Sequence, residues 1–154
     1  AFTGLGAPYW DPYARGMLVG LTRGINKCHI IRAALEAIAY QTNDVLQAMR
    51  ADAGVELAVL KADGGASANN FLMQYQADMI AAPVERPACV ESTALGAAYL
   101  AGLAVGYWPD QQALLRNQTI QRRFLPEMTL DQRAKRLQGW QRALRSSLQW
   151  AKEE

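Results

Sequence analysis
The chain predicts a layered α/β domain, and three observations carry that expectation. A short apolar strand, a glycine pair and a helix follow one another across residues 55–81, a long amphipathic helix runs ahead of them, and further strand and helix segments come after. With 154 residues, 51% of them hydrophobic, there is material for one packed core, so residues 1–154 read as a single domain.

Taken in order, residues 1–16 hold Gly4, Gly6, Pro8, Pro12 and Gly16 among Tyr9, Trp10 and Tyr13. That composition excludes a helix and predicts an ordered loop pinned by aromatic side chains. Gly4-Leu5-Gly6 has no third glycine at the dinucleotide-fingerprint spacing and no strand before it. Residues 17–21 (MLVGL) predict a short buried strand. Asn26 and Lys27 lead into a helix over 29–51 whose broad apolar face runs from Ile30 and Ile31 through Ile38 and Ala39 to Leu46 and Met49. Glu36, Gln41, Asn43 and Asp44 fall off that face, and Gly54 is the stop. The lone histidine, His29, has no cysteine or carboxylate at ligand spacing, which favours a surface or capping role over catalysis.

A strand over 55–62 and a helix over 69–81 flank the glycine pair. Residues 82–87 predict a second short strand, with Pro83 and Pro87 marking an edge position or strand ends. Thr93 opens a helix over 94–105 rich in small residues such as Gly96, Ala97 and Gly102. These either let a neighbouring backbone approach or keep the entrance to the glycine cleft open. Residues 106–128 read as polar connection. A basic amphipathic helix over 130–150 closes the chain, its stripe Leu130, Ala134, Leu137, Leu144 and Leu148 suited to packing on its own domain or, alternatively, to lying on a membrane.

Composition narrows the partners. A net charge of +2 is too mild to argue for nucleic acid, and no apolar run reaches the eighteen residues of a membrane span. Cys28 and Cys89 stand far apart, outside any metal spacing, as reduced thiols of a cytoplasmic protein would. The opening Ala1-Phe-Thr-Gly lacks the basic start and apolar core of a signal peptide, and the missing initiator Met leads us to expect a piece of something longer.

The chemistry concentrates in Lys61-Ala-Asp-Gly-Gly-Ala-Ser-Ala-Asn-Asn70. Gly64 and Gly65 can take positive φ and let a ligand lie against bare backbone. The helix that follows offers free N–H groups and the positive end of its dipole, which suits phosphate. Ser67, Asn69 and Asn70 add capping oxygens and uncharged groups able to read a base or ribose. The competing interpretation is a tight turn with a helix cap. Asp63 either sets the turn or binds magnesium, the turn role being better founded in its reach to backbone N–H groups. No Ser/His/Asp set, Walker lysine or paired carboxylates occur, so these residues describe a nucleotide-contacting half-site without a catalytic centre.

Four stretches also carry a likeness. Phe2-Thr-Gly-Leu-Gly-Ala-Pro-Tyr-Trp-Asp-Pro12 with Arg15-Gly16, the run Gly16-Met-Leu-Val-Gly-Leu21 spaced from His29-Ile and Ala33-Ala-Leu-Glu36, Asp63-Gly-Gly-Ala-Ser-Ala-Asn-Asn-Phe-Leu-Met-Gln74, and Thr93-Ala-Leu-Gly-Ala-Ala-Tyr-Leu-Ala-Gly102 together resemble the FGGY family of sugar kinases. The likeness continues through Arg123-Phe124, Pro126 and Gly139-Trp140, covering essentially the whole chain. The loop at 2–12 is similar to that of members phosphorylating glycerol, and differs from that of xylulose and gluconate relatives.

The resemblance implies part of an actin-like ATPase (ribonuclease H-like) domain, a sheet flanked by helices, corresponding to the later part of the family's second domain. In such enzymes the γ-phosphoryl of ATP passes to a polyol hydroxyl, giving glycerol 3-phosphate from glycerol. Gly65 through its backbone and Asn69 through its side-chain amide would contact the adenosine end of ATP or ADP. The family's phosphate loop, general-base aspartate and glycerol-binding residues come from earlier sequence, so no catalytic residue and no Mg2+ ligand is expected here. The implied partners are a missing N-terminal kinase domain, glycerol and ATP, within a cytoplasmic homo-oligomer. The chain alone is expected to be inactive. The alternative is a free-standing nucleotide-binding or protein-interaction module without catalysis.

Overall fold
The computed structural model describes residues 1–54, 56–116 and 118–152. The long helix α1 (Lys27–Ala53) begins two residues ahead of the expected 29–51. Its first turn shows why. Asn26 Oδ1 accepts the Cys28 N–H at 2.9 Å, and His29 Nδ1 accepts the Asn26 N–H at 3.3 Å, closing a capping box. His29 is therefore a cap. Gly54 ends the helix at φ 63°, donating its N–H to the Arg50 carbonyl at 2.9 Å.

Next comes a strand–helix–strand crossover. β1 (Leu60–Lys61) leads through the glycine turn to α2 (Asn70–Ile80), which returns the chain to β2 (Val84–Pro87). The strands run parallel, Leu60 opposite Val84 and Lys61 opposite Glu85, as a helical crossover allows and a tight hairpin does not. α3 (Ser92–Ala104) and the short α4 (Gln111–Leu115) follow, then β3 (Ile120–Phe124), antiparallel to β2. α5 (Leu130–Ser147) completes the order, capped by Thr129, whose Oγ1 accepts the Gln132 N–H.

The core lies where α2 meets its neighbours. Leu72, Met73, Tyr75, Ala77, Met79 and Ile80 pack with Ala39 and Tyr40 of α1 and with Val84 and Phe124 of the sheet. Tyr40 stacks on Trp140 of α5 at 5.2 Å between ring centroids and meets Tyr75 edge-on, their hydroxyls 2.6 Å apart. Three carboxylates tie loops to this core. Asp44 accepts from the Tyr9 hydroxyl at 2.7 Å and the Trp140 Nε1–H at 2.6 Å. Asp78 Oδ1 accepts the Glu127 and Met128 N–H groups, fixing the approach to α5. Asp11 Oδ1 accepts from Tyr13 and Ala14, while its Oδ2 accepts the Gln149 N–H at 2.6 Å. Burial works against the Asp11 charge, yet these three N–H donors and the nearby Arg15 outweigh it and hold the carboxyl below its usual range.

Several expectations needed correction. Residues 17–21 form no strand among the described residues, and Leu18, Val19 and Leu21 are about half exposed. An apolar run becomes a strand only when another segment pairs with it, and none here does. Val55 of the expected strand 55–62 lies outside the described residues, and only Leu60 and Lys61 enter the ladder. β2 is the middle strand, so of the two readings of its prolines the edge one fails and the strand-end one holds: Pro87 closes it and Pro83 precedes it, contributing a carbonyl to Leu60 N–H. The polar connection 106–128 contains both α4 and β3. The face of α1 is also misread in part. Ile30, Ile31, Ile38 and Met49 stay exposed, whereas Asn43 and Asp44, expected off the face, are buried and hydrogen-bonded. α3 buries only Gly102, where an added Cβ would stand 2.2 Å from the Trp108 ring, so that glycine admits a side chain and not a backbone.

Two outcomes follow from the Asp44 contacts. Asp44→Ala strands two donors and is expected to lower unfolding free energy by roughly 2–3 kcal/mol in urea titrations. Burial and the bond to Asp44 push Tyr9 up to about 12, against about 10 in an unfolded chain. The folded state thus keeps a proton that the unfolded state has released, so stability is full below pH ~10 and falls as pH rises towards 12. Burial raises Tyr40 and Tyr75 in the same direction. Denaturation at pH 9 and 11.5 should show the decline, and Tyr9→Phe should shrink it.

Candidate nucleotide site
The glycine turn sits between the end of β1 and the start of α2. Gly64 takes φ 80° and ψ 171°, a conformation closed to residues with a side chain, and donates its N–H to the Val90 carbonyl at 2.7 Å. Gly65 opens a 3-10 turn, Gly65–Ala68, without positive φ. The pair therefore divides its duties, and the positive φ foreseen for both falls on Gly64 alone. A Cβ built on Gly65 meets nothing within 4 Å, and the residue is exposed. Neither backbone strain nor packing demands glycine there.

The polar residues of the turn divide likewise. Ser67 is buried, with its hydroxyl donating to the Gly64 carbonyl at 2.7 Å, so it serves the turn itself. Asn69 is the N-cap of α2: Oδ1 accepts the Leu72 N–H at 3.1 Å, a bond that does not use the amide NH2 of this exposed residue. Asn70 Oδ1 accepts from Arg86 Nη2 at 3.0 Å. The cap and the ligand-facing readings of Asn69 are thus compatible, since each uses a different atom. Asp63 is exposed and accepts no hydrogen bond from the turn among the described residues, against the turn-setting role expected of it.

Sequence reasoning missed Arg86. Its signal was strand alternation, which puts Arg86 on the same face of β2 as the buried Val84, towards α2. Glu85 points the other way, into a cleft of 480 Å³ between β2 and α3 lined also by Lys61, Asp63, Cys89, Leu95 and Tyr99. Gly65 and Asn69 lie outside that cleft. Among the described residues no three His, Cys, Asp or Glu side chains gather around a common point, and no helix is long and apolar enough to cross a membrane.

The C-terminal domain of the FGGY family of carbohydrate kinases matches residues 1–105, and the chain belongs to that family. A glycerol kinase of Aeromonas hydrophila subsp. hydrophila is 62% identical over all 154 residues, which make up 31% of its length. Among solved structures, Plasmodium falciparum glycerol kinase with ADP superposes with a TM-score of 0.83 at 38% identity, covering 96% of this chain and 30% of that one. Gluconate kinase from Lactobacillus acidophilus matches less closely, with a TM-score of 0.65 at 26% identity over 92% of this chain and 27% of that one. The chain thus spans about a third of the curated relatives it matches. These neighbours agree with the mixed α/β fold of FGGY kinases.

The two glycines should separate in experiment. Gly64→Val is expected to cost about 1–3 kcal/mol of stability, the scale of a side chain forced into a glycine-only conformation. Gly65→Val should leave the melting temperature within error, because its Cβ meets open space.

Proposed function
We propose that this chain forms the adenosine side of the ATP site in a glycerol kinase, which transfers the γ-phosphoryl of ATP to glycerol and yields glycerol 3-phosphate. The observation that carries the reading is Gly65: a glycine required by neither conformation nor packing, inside the stretch that matches the FGGY C-terminal domain, leaves room for a ligand to lie on the backbone. The 62% identity to a glycerol kinase and the superposition on one holding ADP support the same assignment.

Phosphoryl transfer depends on placing two substrates in line and stabilising charge on the moving group. Gly65 supplies a backbone surface for the adenosine, and Asn69 donates its amide N–H to it. Held at that end, the nucleotide presents its phosphates to groups in the rest of the cleft. In this reading an N-terminal kinase domain supplies the phosphate loop, general base and glycerol site, within a cytoplasmic homo-oligomer. ATP would be used with Mg2+, which would neutralise phosphate charge; its ligands are assigned to the N-terminal domain, and no step is assigned to the metal.

The test is a coupled assay for glycerol 3-phosphate on the complete protein and on these 154 residues alone. Turnover is expected from the former, and none above background from the latter. Transfer to gluconate or xylulose in preference to glycerol overturns the reading, as does turnover by the short chain. Gly65→Val in the complete protein should raise KM for ATP far more than KM for glycerol. Asn69→Asp keeps the cap oxygen but removes the amide donor. It should preserve stability while weakening ADP binding by about 1–2 kcal/mol, measured by calorimetry.

A further inference from the structure
We infer that Arg86 is a positioning residue of the nucleotide site, holding the glycine turn in the shape that ATP meets. This rests on the reading of that turn as the adenosine contact. Arg86 projects from the middle strand and is 7% exposed. Its guanidinium donates three ways, each time to a neutral oxygen: Nε to Gln121 Oε1 at 2.7 Å, Nη1 to the Ser67 carbonyl at 2.7 Å, and Nη2 to Asn70 Oδ1 at 3.0 Å. The same group lies over the Phe124 ring, 5.4 Å from its centroid.

A charge taken out of water is ordinarily matched by an opposite one. No ion pair involves Arg86 among the described residues; neutral oxygens of the turn and of Gln121, with the Phe124 ring, surround its charge instead. Packing alone would be served there by an apolar side chain such as Val84, fully buried two residues earlier on the same face. Two of the three bonds end on Ser67 and Asn70, which bracket Asn69. Ser67 in turn holds the Gly64 carbonyl through both its hydroxyl and its N–H. Arg86 thereby spans the 3-10 turn from its middle to the first residue of α2, fixing how Gly65 and the Asn69 amide are presented. The planar fork makes both bonds at once; a lysine ammonium at the end of a flexible stem does not reproduce that geometry.

Arg86→Lys, Asn70→Ala and the double variant, made in the complete protein, test this. ADP affinity is read by calorimetry, KM is measured separately for ATP and glycerol, and thermal melting is followed alongside. Arg86→Lys is expected to weaken ADP binding about tenfold and to raise KM for ATP to match, with KM for glycerol within twofold. Asn70→Ala, at an exposed position, removes only the acceptor of Nη2 and should weaken ADP about threefold. The double variant should be no worse than Arg86→Lys, because both act through one tether. Unchanged ADP affinity in either single variant overturns the inference. So do equal rises in both KM values, or losses that multiply in the double variant. A wild-type protein that binds ADP but leaves glycerol untouched defeats the functional reading and not this one, since ADP affinity is read directly; one that binds no ADP defeats both.

Discussion
Enclosure of α2 is the constraint on which the rest of the structure depends. Its second half is buried without interruption from Tyr75 to Ile80, with α1 on one side, the sheet on another and α5 across the end. Each large apolar side chain so placed contributes roughly 1.5–3 kcal/mol relative to exposure, and rotating the helix would forfeit several at once. The C-terminal end is also pinned, by Arg133 Nε donating to the Met79 carbonyl at 2.7 Å. The other end is consequently fixed in space. That is what permits the turn before it to remain open: Gly65 and Asn69 need no packing of their own to be well placed.

Polar side chains do the joining that apolar ones cannot. Asp44 brings together a loop, α1 and α5; Asp78 receives the chain ahead of α5; Arg86 reaches from the sheet to the turn. Each is buried and each is matched, so the desolvation of the charge is offset by directed bonds. Direction is the useful property. Hydrophobic contact sets how near two elements lie, whereas a carboxylate or guanidinium also sets their orientation.

Legibility in the sequence followed the range of the interactions involved. α1 and α2 were readable because helical period, the Asn26–His29 cap and the Gly54 stop all lie within the segments they define. The glycine turn was readable as a turn, since Gly64 must supply a backbone conformation that few residues can. Residues 17–21 misled because strand formation belongs to a pair of segments and not to one. β3 was hidden for the opposite reason: Gln121, Arg122 and Arg123 make a charged exposed edge, and only Phe124 reaches the core. Asp44 was placed on the wrong face and Arg86 was passed over because their partners, Trp140 and Gln121, stand 96 and 35 residues away. Strand alternation announces that Arg86 faces inward, but not which groups it meets there.

The Asp11 clasp has a bearing on the order in which the molecule assembles. Its bond to Gln149 closes a span of 138 residues, and Ala151 N–H to the Tyr13 carbonyl seals the same junction. Bringing such distant points together costs roughly 1.5 kcal/mol more in chain entropy than the much shorter closure of β1 against β2. Contacts of low sequence separation are favoured early in folding for that reason. The crossover that carries the glycine turn is local, while the clasp can close only after α5 has docked. By that measure the glycine turn lies in a segment of short-range contacts, whereas the Asp11–Gln149 junction depends on the placing of α5.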